Sequence, residues 1–257
     1  MYHQYTPQEN KKTHGLPNDY SISGILTVGT YTPQKWIQIL DNHLDAKSLK
    51  YSKTPLQGFL RQITQYCIED EFKFWFMPTL GSAELASAVH LGCQCGSQQN
   101  IHLGSCGGLD PKLEDYTTII PMATYDSGTS AVMYSPDRQA GEFQSDPELS
   151  KKLLKAAKAS DLNCVKGRIM TCQAMYAQTQ KDILNWSKQG YSGVEMETAT
   201  LFAISNHFNV PAGALIYITD NLVKGDTVFA QKHESSSEFR HSIKKRFVAI
   251  ACEFLGC

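Results

Sequence analysis

No apolar run in this 257-residue chain approaches the roughly 20 residues of a membrane span. No membrane-spanning helix is therefore expected. The opening stretch MYHQYTPQENKKTHGLPNDY has no apolar core, so no signal peptide is expected either. Charge of one sign is also missing. Lys+Arg number 24 and Asp+Glu 25, a net charge of -1 that offers no strong field to nucleic acid or an anionic membrane. There are eight cysteines but no CxxC pair, and no Cys/His cluster has zinc spacing. Free buried thiols in a reducing, cytoplasmic setting and no metal are the expectation. Cys106, beside glycines with no activating histidine placed by the sequence, reads as a packing residue. Neither a GxGxxG nor a Walker A loop occurs, which leaves dinucleotide and nucleoside triphosphate readings weak.

What is present is ordinary for a soluble globular protein: 42% hydrophobic and 19% charged residues. The length suggests one α/β domain first and two small domains second. Residues 1–20 are polar and read as an arm. Strands are expected at SGILTV (23–28), FKFWFMP (72–78), NIHLGS (100–105), YTTIIPMATY (116–125), KGRIMTCQAMY (166–176) and AGALIYITD (212–220). Between them lie helical patterns: TPQKWIQILDNHL, SAELASAVHLG, the Asp-capped DPELSKKLLKAAKAS (146–160), QKDILNWSKQG, TATLFAISNHFN, and a last helix from about Ser236. SPDRQAGEFQSDPE (135–148) reads as a surface loop. The basic run KKR (244–246) alternates with apolar residues and reads as the wet face of that last helix. Such alternation implies a mostly parallel sheet covered on both faces.

In open α/β sheets ligands sit at the carboxyl ends of strands. Those ends carry Gly29-Thr30, Thr79-Leu80-Gly81-Ser82, Gly104-Ser105-Cys106-Gly107-Gly108, Met175-Tyr176 and Thr219-Asp220-Asn221. Three are rich in Gly, Ser and Thr, which can offer N–H groups and hydroxyls to an anion. A fourth carries an acid. GSCGG alone reads first as a tight turn needing positive φ.

Two stretches carry a family resemblance. HLGSCGGLDPKLEDYTTIIPMATYDSG (102–128) resembles the nucleoside phosphorylase segment that reads Arg-hydrophobic-Gly-Ser/Thr-Cys-Gly. GVEMETATLFAISNHFNVPAGALIYITDN (193–221) resembles that family's Val-Glu-Met-Glu helix start and its Ser/Thr-Asp strand end. The spacing from Tyr176 to the Glu-Met-Glu triplet is similar to the trimer-of-dimers purine nucleoside phosphorylases. The resemblance spans roughly residues 22–256. It implies a three-layer α/β/α domain over 21–257, with a central mixed, mostly parallel sheet. It also implies phosphorolysis of a nucleoside N-glycosidic bond, with phosphate as co-substrate and no cofactor. The form implied is a homo-oligomer, at least a dimer and by family a hexamer, whose neighbours complete each other's sites.

The resemblance assigns roles residue by residue. Glu197 would accept hydrogen bonds from the ribose 2′- and 3′-hydroxyls, and Met196 would pack on the ribose face. Glu195 and Val194 would flank the base. Met175 would cover it, with Tyr176 behind. Asp220 would protonate purine N7 as general acid, beside Thr219. Gly29 and Ser105 would bind phosphate. Leu80 would touch the sugar, and His14 would reach a neighbouring subunit's ribose 5′-hydroxyl.

The phosphate pocket departs from the family, which uses three arginines. Thr30 replaces the Asp of the first Gly-Asp, and Pro33 or Gln34, with Lys35 next, stands near the first arginine position. Lys53 stands where a neighbouring subunit supplies the second, and His102 where the third precedes the Gly-Ser turn. Lysine keeps charge but loses the bidentate fork, and a histidine can be neutral at pH 7. His233 or Arg240 would assist Asp220. Hydrolysis by a nucleosidase is the main competing reading, although its relatives carry a glutamate near the first glycine and VGTYTPQKW has none. A non-catalytic nucleoside binder has little need of Asp220. A uridine phosphorylase would need a Gln-x-Arg pair that MYAQTQKDIL lacks.

Overall fold

The computed structural model describes residues 5–227 and 235–257. Its elements in chain order begin with α1 (Pro7–Thr13), β1 (Gly24–Gly29), α2 (Pro33–Ala46), β2 (Tyr51–Pro55), β3 (Thr64–Ile68) and β4 (Phe72–Thr79). Then come α3 (Ser82–Gln94), β5 (Asn100–Gly108), β6 (Thr118–Asp126), β7 (Glu142–Gln144), α4 (Pro147–Ala159) and β8 (Cys164–Thr171). The chain closes with α5 (Gln180–Lys188), β9 (Gly193–Glu195), α6 (Thr198–His207), β10 (Ala212–Asn221) and α7 (Ser235–Leu255).

Local chemistry sets many of these boundaries. Asp146 caps α4 by accepting from the Leu149 N–H at 2.7 Å, and Pro147 fills its first position. Thr179 and Asp182 form a capping box on α5. All ten positions of β10 are buried, as expected for an apolar strand covered on both faces.

The strands form one mixed sheet. β1 runs parallel to β4 and β5, and β5 runs parallel to β10. Successive residues along the strands serve opposite faces. Leu26, Val28, Phe74 and Leu215 pack under α2, α4 and α7. Ile25, Trp75, Ala214 and Ile216 pack under α3 and α6. That is the expected three-layer arrangement. One part goes further: β5, β10, β6, β8 and β9 pair in a closed ring, β9 returning antiparallel to β5.

Several expectations need correction. The arm carries α1, whose Thr6 and Glu9 form a capping box, and Asn10 ties it to Gln94 of α3 at 2.6 Å. The loop expected at 135–148 contains β7, paired with β6. β2 and β3 extend the sheet antiparallel beyond β4. β2 is polar and largely exposed, and β3 is only five residues long with Tyr66 and Ile68 its two buried positions, too short a pattern to stand out. The strand expected to end at Tyr176 stops at Thr171, because β9 supplies pairing only to that point.

Two register shifts matter. Pro121 sits at an irregularity in β6, where the missing N–H costs no ladder bond. In β10 the shift falls between Ile218 and Asp220, opposite Cys106 and Gly107 of β5, so Thr219 is the extra residue. A bulge bends the strand and re-aims the side chains beyond it.

Phe247 of α7 is fully buried, its ring centroid 6.0 Å from that of Tyr217 in β10. Phe247→Ala should therefore lower unfolding stability by about 3–5 kcal/mol in urea denaturation. A loss below about 1 kcal/mol would contradict the packing of α7 on the sheet.

Candidate active site

A cleft of about 700 Å³ opens where β1, β5 and β10 end. Gly29, Ser105, Thr219 and Asp220 border it from those strands, and Val194 through Glu197 border it from the junction of β9 and α6. Leu80, following β4, is 46% exposed on its rim.

The β9–α6 junction is built around Glu195, which is buried. One carboxylate oxygen accepts from Thr171 Oγ1 at 2.5 Å. The other accepts from the backbone N–H groups of Glu197 and Thr198, each at 2.8 Å, and from Thr198 Oγ1 at 2.6 Å. Glu195 thereby satisfies the first amides of α6 and ties the helix to β8. Glu195 borders the cleft, but each hydrogen bond described for it is made within the fold.

Glu197 is the acid that remains available. Its Oε1 accepts from the Gly81 N–H at 2.5 Å. Its Oε2 lies 3.0 Å from where a Cβ on Gly29 would stand, so a glycine is needed there for close approach. Burial pushes both carboxyls up, and at Glu195 four donors oppose the push. At Glu197 burial, reinforced by the Glu195 charge and opposed by N–H groups of Gly81 and Met196, lifts the pKa to about 8.

Gln173 supports the same junction and was not anticipated, since nothing marks it in a loop after β8. It accepts from the Ser82 N–H at 2.8 Å and donates to the Met196 carbonyl at 2.5 Å. Ser82 Oγ donates to that carbonyl too, at 2.8 Å. Met196 is thus held at the cleft from behind, and its methyl would lie 3.8 Å from a Cβ on Gly81.

Across the cleft, Thr219 donates its hydroxyl hydrogen bond to Asp220 Oδ1 and lies 3.2 Å from the Cys106 carbonyl. Asp220 is 3% exposed. Ser105 is the hydrogen-bond partner of the Tyr217 hydroxyl, whose pKa burial raises to about 12. Arg240 of α7 borders the cleft, while His233 lies outside the described residues. Cys106 is buried and its thiol pushed well up by burial, which agrees with a packing role.

Other expected residues are placed differently. His102 is fully buried, with Nδ1 2.9 Å from Thr27 Oγ1. Burial pushes its pKa down to about 3, so it is neutral and supplies no charge to a phosphate. Met175 stands on a short 3-10 turn at the rim, 4.0 Å from the Tyr31 hydroxyl. Tyr176 is 85% exposed at the mouth rather than behind Met175. Lys53 pairs with Asp41 at 2.7 Å on β2, and His14 caps α1 with Nδ1 2.8 Å from the Asn10 carbonyl. Neither borders the cleft of its own chain; the resemblance assigns both to a neighbour's site. Lys244 of the expected wet face borders the cleft, while Lys245 is exposed.

Among the described residues one group brings metal-ligand atoms together: those of His102, Glu195 and Glu197 lie within 4.8 Å of one another. The hydrogen bonds already made by Glu195 occupy both its oxygens, which suits a structural carboxylate better than a metal ligand.

Because the Glu197 pKa is raised from 4.5 to about 8, the folded state binds more protons between those values. Stability falls as pH rises through this range, by up to about 1.4 kcal/mol per unit. Urea midpoints between about pH 6.5 and 8.5, above the range where neutral His102 contributes, should fall for the wild type and stay flatter for Glu197→Gln. Equal slopes would refute the raised pKa.

The chain is similar to several known proteins. A family model described as the phosphorylase superfamily matches residues 45–256. A purine nucleoside phosphorylase DeoD-type of Clostridium beijerinckii is 33% identical over 146 residues, covering 54% of this chain and 58% of that protein. That match spans less than two thirds of the relative's length. A guanosine phosphorylase of Halorubrum lacusprofundi is 26% identical over 172 residues, covering 66% of this chain and 70% of its own. In fold, the chain is similar to a Campylobacter jejuni 5′-methylthioadenosine/S-adenosyl homocysteine nucleosidase, with a TM-score of 0.70 at 15% identity over 91% of this chain and 98% of that one. Since the family model extends over most of its length, the chain belongs to the phosphorylase superfamily.

Proposed function

We propose that the chain is a nucleoside phosphorylase acting on purine nucleosides. The observation that carries this reading is the placement of two buried acids, Glu197 and Asp220, on one cleft beside the Gly104–Gly107 end of β5. In the proposed reaction the C1′–N bond breaks and its electrons pass into the base. Asp220 delivers a proton to purine N7. A phosphate oxygen forms the new bond to C1′, yielding free base and ribose-1-phosphate. Glu197 grips the ribose hydroxyls near the positive charge developing on the sugar. Met196 and Leu80 form the apolar wall beside the ribose, Val194 and Met175 the wall beside the base, and Gly29 and Ser105 the phosphate side. Relatives named purine nucleoside phosphorylase and guanosine phosphorylase support the purine preference.

His14 and Lys53, remote from their own cleft, would complete that of a neighbouring subunit in a dimer or in a hexamer built as a trimer of dimers. No helix among the described residues is long and apolar enough to cross a membrane. The proposed setting is cytoplasmic purine salvage.

Hydrolysis is the second reading. It is favoured by the neutral state of His102, which stands where the family carries an arginine. Incubation with inosine, adenosine and uridine, with and without phosphate, separates the two. Base release that requires phosphate, with ribose-1-phosphate as product, is the expected result; equal release without phosphate would establish the hydrolase.

Asp220→Asn should lower turnover of purine nucleosides by about 100-fold or more. Unchanged turnover would remove its assigned role. Glu197→Gln should raise KM and lower kcat together, because the ribose contact strengthens toward the transition state.

A further inference from the structure

The expected phosphate arginines are absent from the sequence, yet the cleft is not short of positive charge. Arg240 and Lys244 lie four residues apart on α7, on one face, and both border the cleft. The Lys244 ammonium sits 5.2 Å from the centroid of the Trp36 ring. Trp36, on α2, also borders the cleft and is 1% exposed. Its indole N–H has no hydrogen-bond partner among the described residues, and neither has the buried Nε of Arg240. Buried donors left unpaired are costly and uncommon. Facing them, the Ser105–Tyr217 hydroxyl pair lies within the field of Arg240. Lys35 lies near enough to Lys244 for its charge to act on it. Burial and the positive charges of Lys35 and Arg240 push the Lys244 pKa down, and no ion pair among the described residues involves these three cations.

We infer that Arg240, Lys244 and the Trp36 indole N–H form an oxyanion site facing Ser105, which holds the phosphate that attacks C1′. The anion's role as co-substrate rests on the function proposed above; the site itself does not. Guanidinium and ammonium groups neutralise the dianion, and the indole N–H gives a directed donor. The charge that the family draws from arginines near the strand ends enters here from the C-terminal helix.

Isothermal calorimetry of inorganic phosphate into the full chain tests the site without turnover. The wild type should bind phosphate, more weakly as salt rises. The Arg240→Gln/Lys244→Gln double variant should lose about tenfold or more in affinity, and Trp36→Phe a few-fold, with thermal melts confirming that each folds. Lys245→Gln, on the exposed face of the same helix, should bind as the wild type does. Phosphate binding unchanged in the folded double variant, or absent from the wild type, overturns the site. So does a nucleoside 5′-monophosphate bound through these residues in place of inorganic phosphate. Base release independent of phosphate, with phosphate binding still lost in the double variant, would leave the site standing and refute phosphorolysis. Phosphorolysis with an unchanged phosphate KM in the double variant would do the reverse.

Discussion

One buried carboxylate organises this protein. Glu195 collects four hydrogen bonds from Thr171, Thr198 and the first amides of α6. Each donor belongs to a segment that must meet its neighbours at that point: strand β8, the junction after β9, or helix α6. With that charge satisfied, β9 can hand over to α6 within two residues. Glu197 then arrives at the cleft with the Gly81 N–H on one of its oxygens and the Met196 N–H close by. Two acids so close, both out of water, could not both stay ionised cheaply. Burial raises the pKa of both; four donors oppose the rise at Glu195, while at Glu197 the neighbouring charge reinforces it.

The opposite wall rests on backbone geometry. β10 is apolar until Ile218, and the bulge at Thr219 breaks its alternation against β5. Thr219 and Asp220 therefore both border the cleft, although neighbouring strand residues normally face opposite ways. Closure of β5, β10, β6, β8 and β9 into a ring brings this wall against the β9–α6 junction. Two strand ends far apart in sequence thus share one cavity, and the glycines of β5 leave room between them. A Cβ on Gly107 would meet Leu222 at 2.5 Å, and one on Gly193 would meet the Cys106 sulfur at 2.6 Å.

Electrostatics shows where residue identity misleads. His102, which the resemblance sets at an arginine position of the family, is made neutral by burial. The KKR run looked like a solvated face, yet α7 crosses the sheet so that Lys244 turns toward Trp36 while Lys245 faces water. Local sequence could not separate those two lysines. What separates them is the angle at which α7 lies on α2 and β10, set by Phe247 and its apolar neighbours.

Much was nonetheless legible. Apolar period and capping residues placed β1, β4, β5, β10 and most helices within a few residues, because those signals are local and strong. The Glu-Met-Glu junction and the Thr-Asp strand end stood out for a different reason: they resemble motifs of a known family. The weak strands β2, β3 and β9 were not readable, since pairing with partners distant in the chain creates them. By itself the sequence determined which segments bury which faces, and which acids sit at strand ends. Only the tertiary structure decided that Glu195 serves the fold and Glu197 the cleft, that His102 is neutral, and that α7 brings cations to the cavity. Each of these depends on how many donors, charges and waters surround a group, and that environment is assembled from segments far apart along the chain.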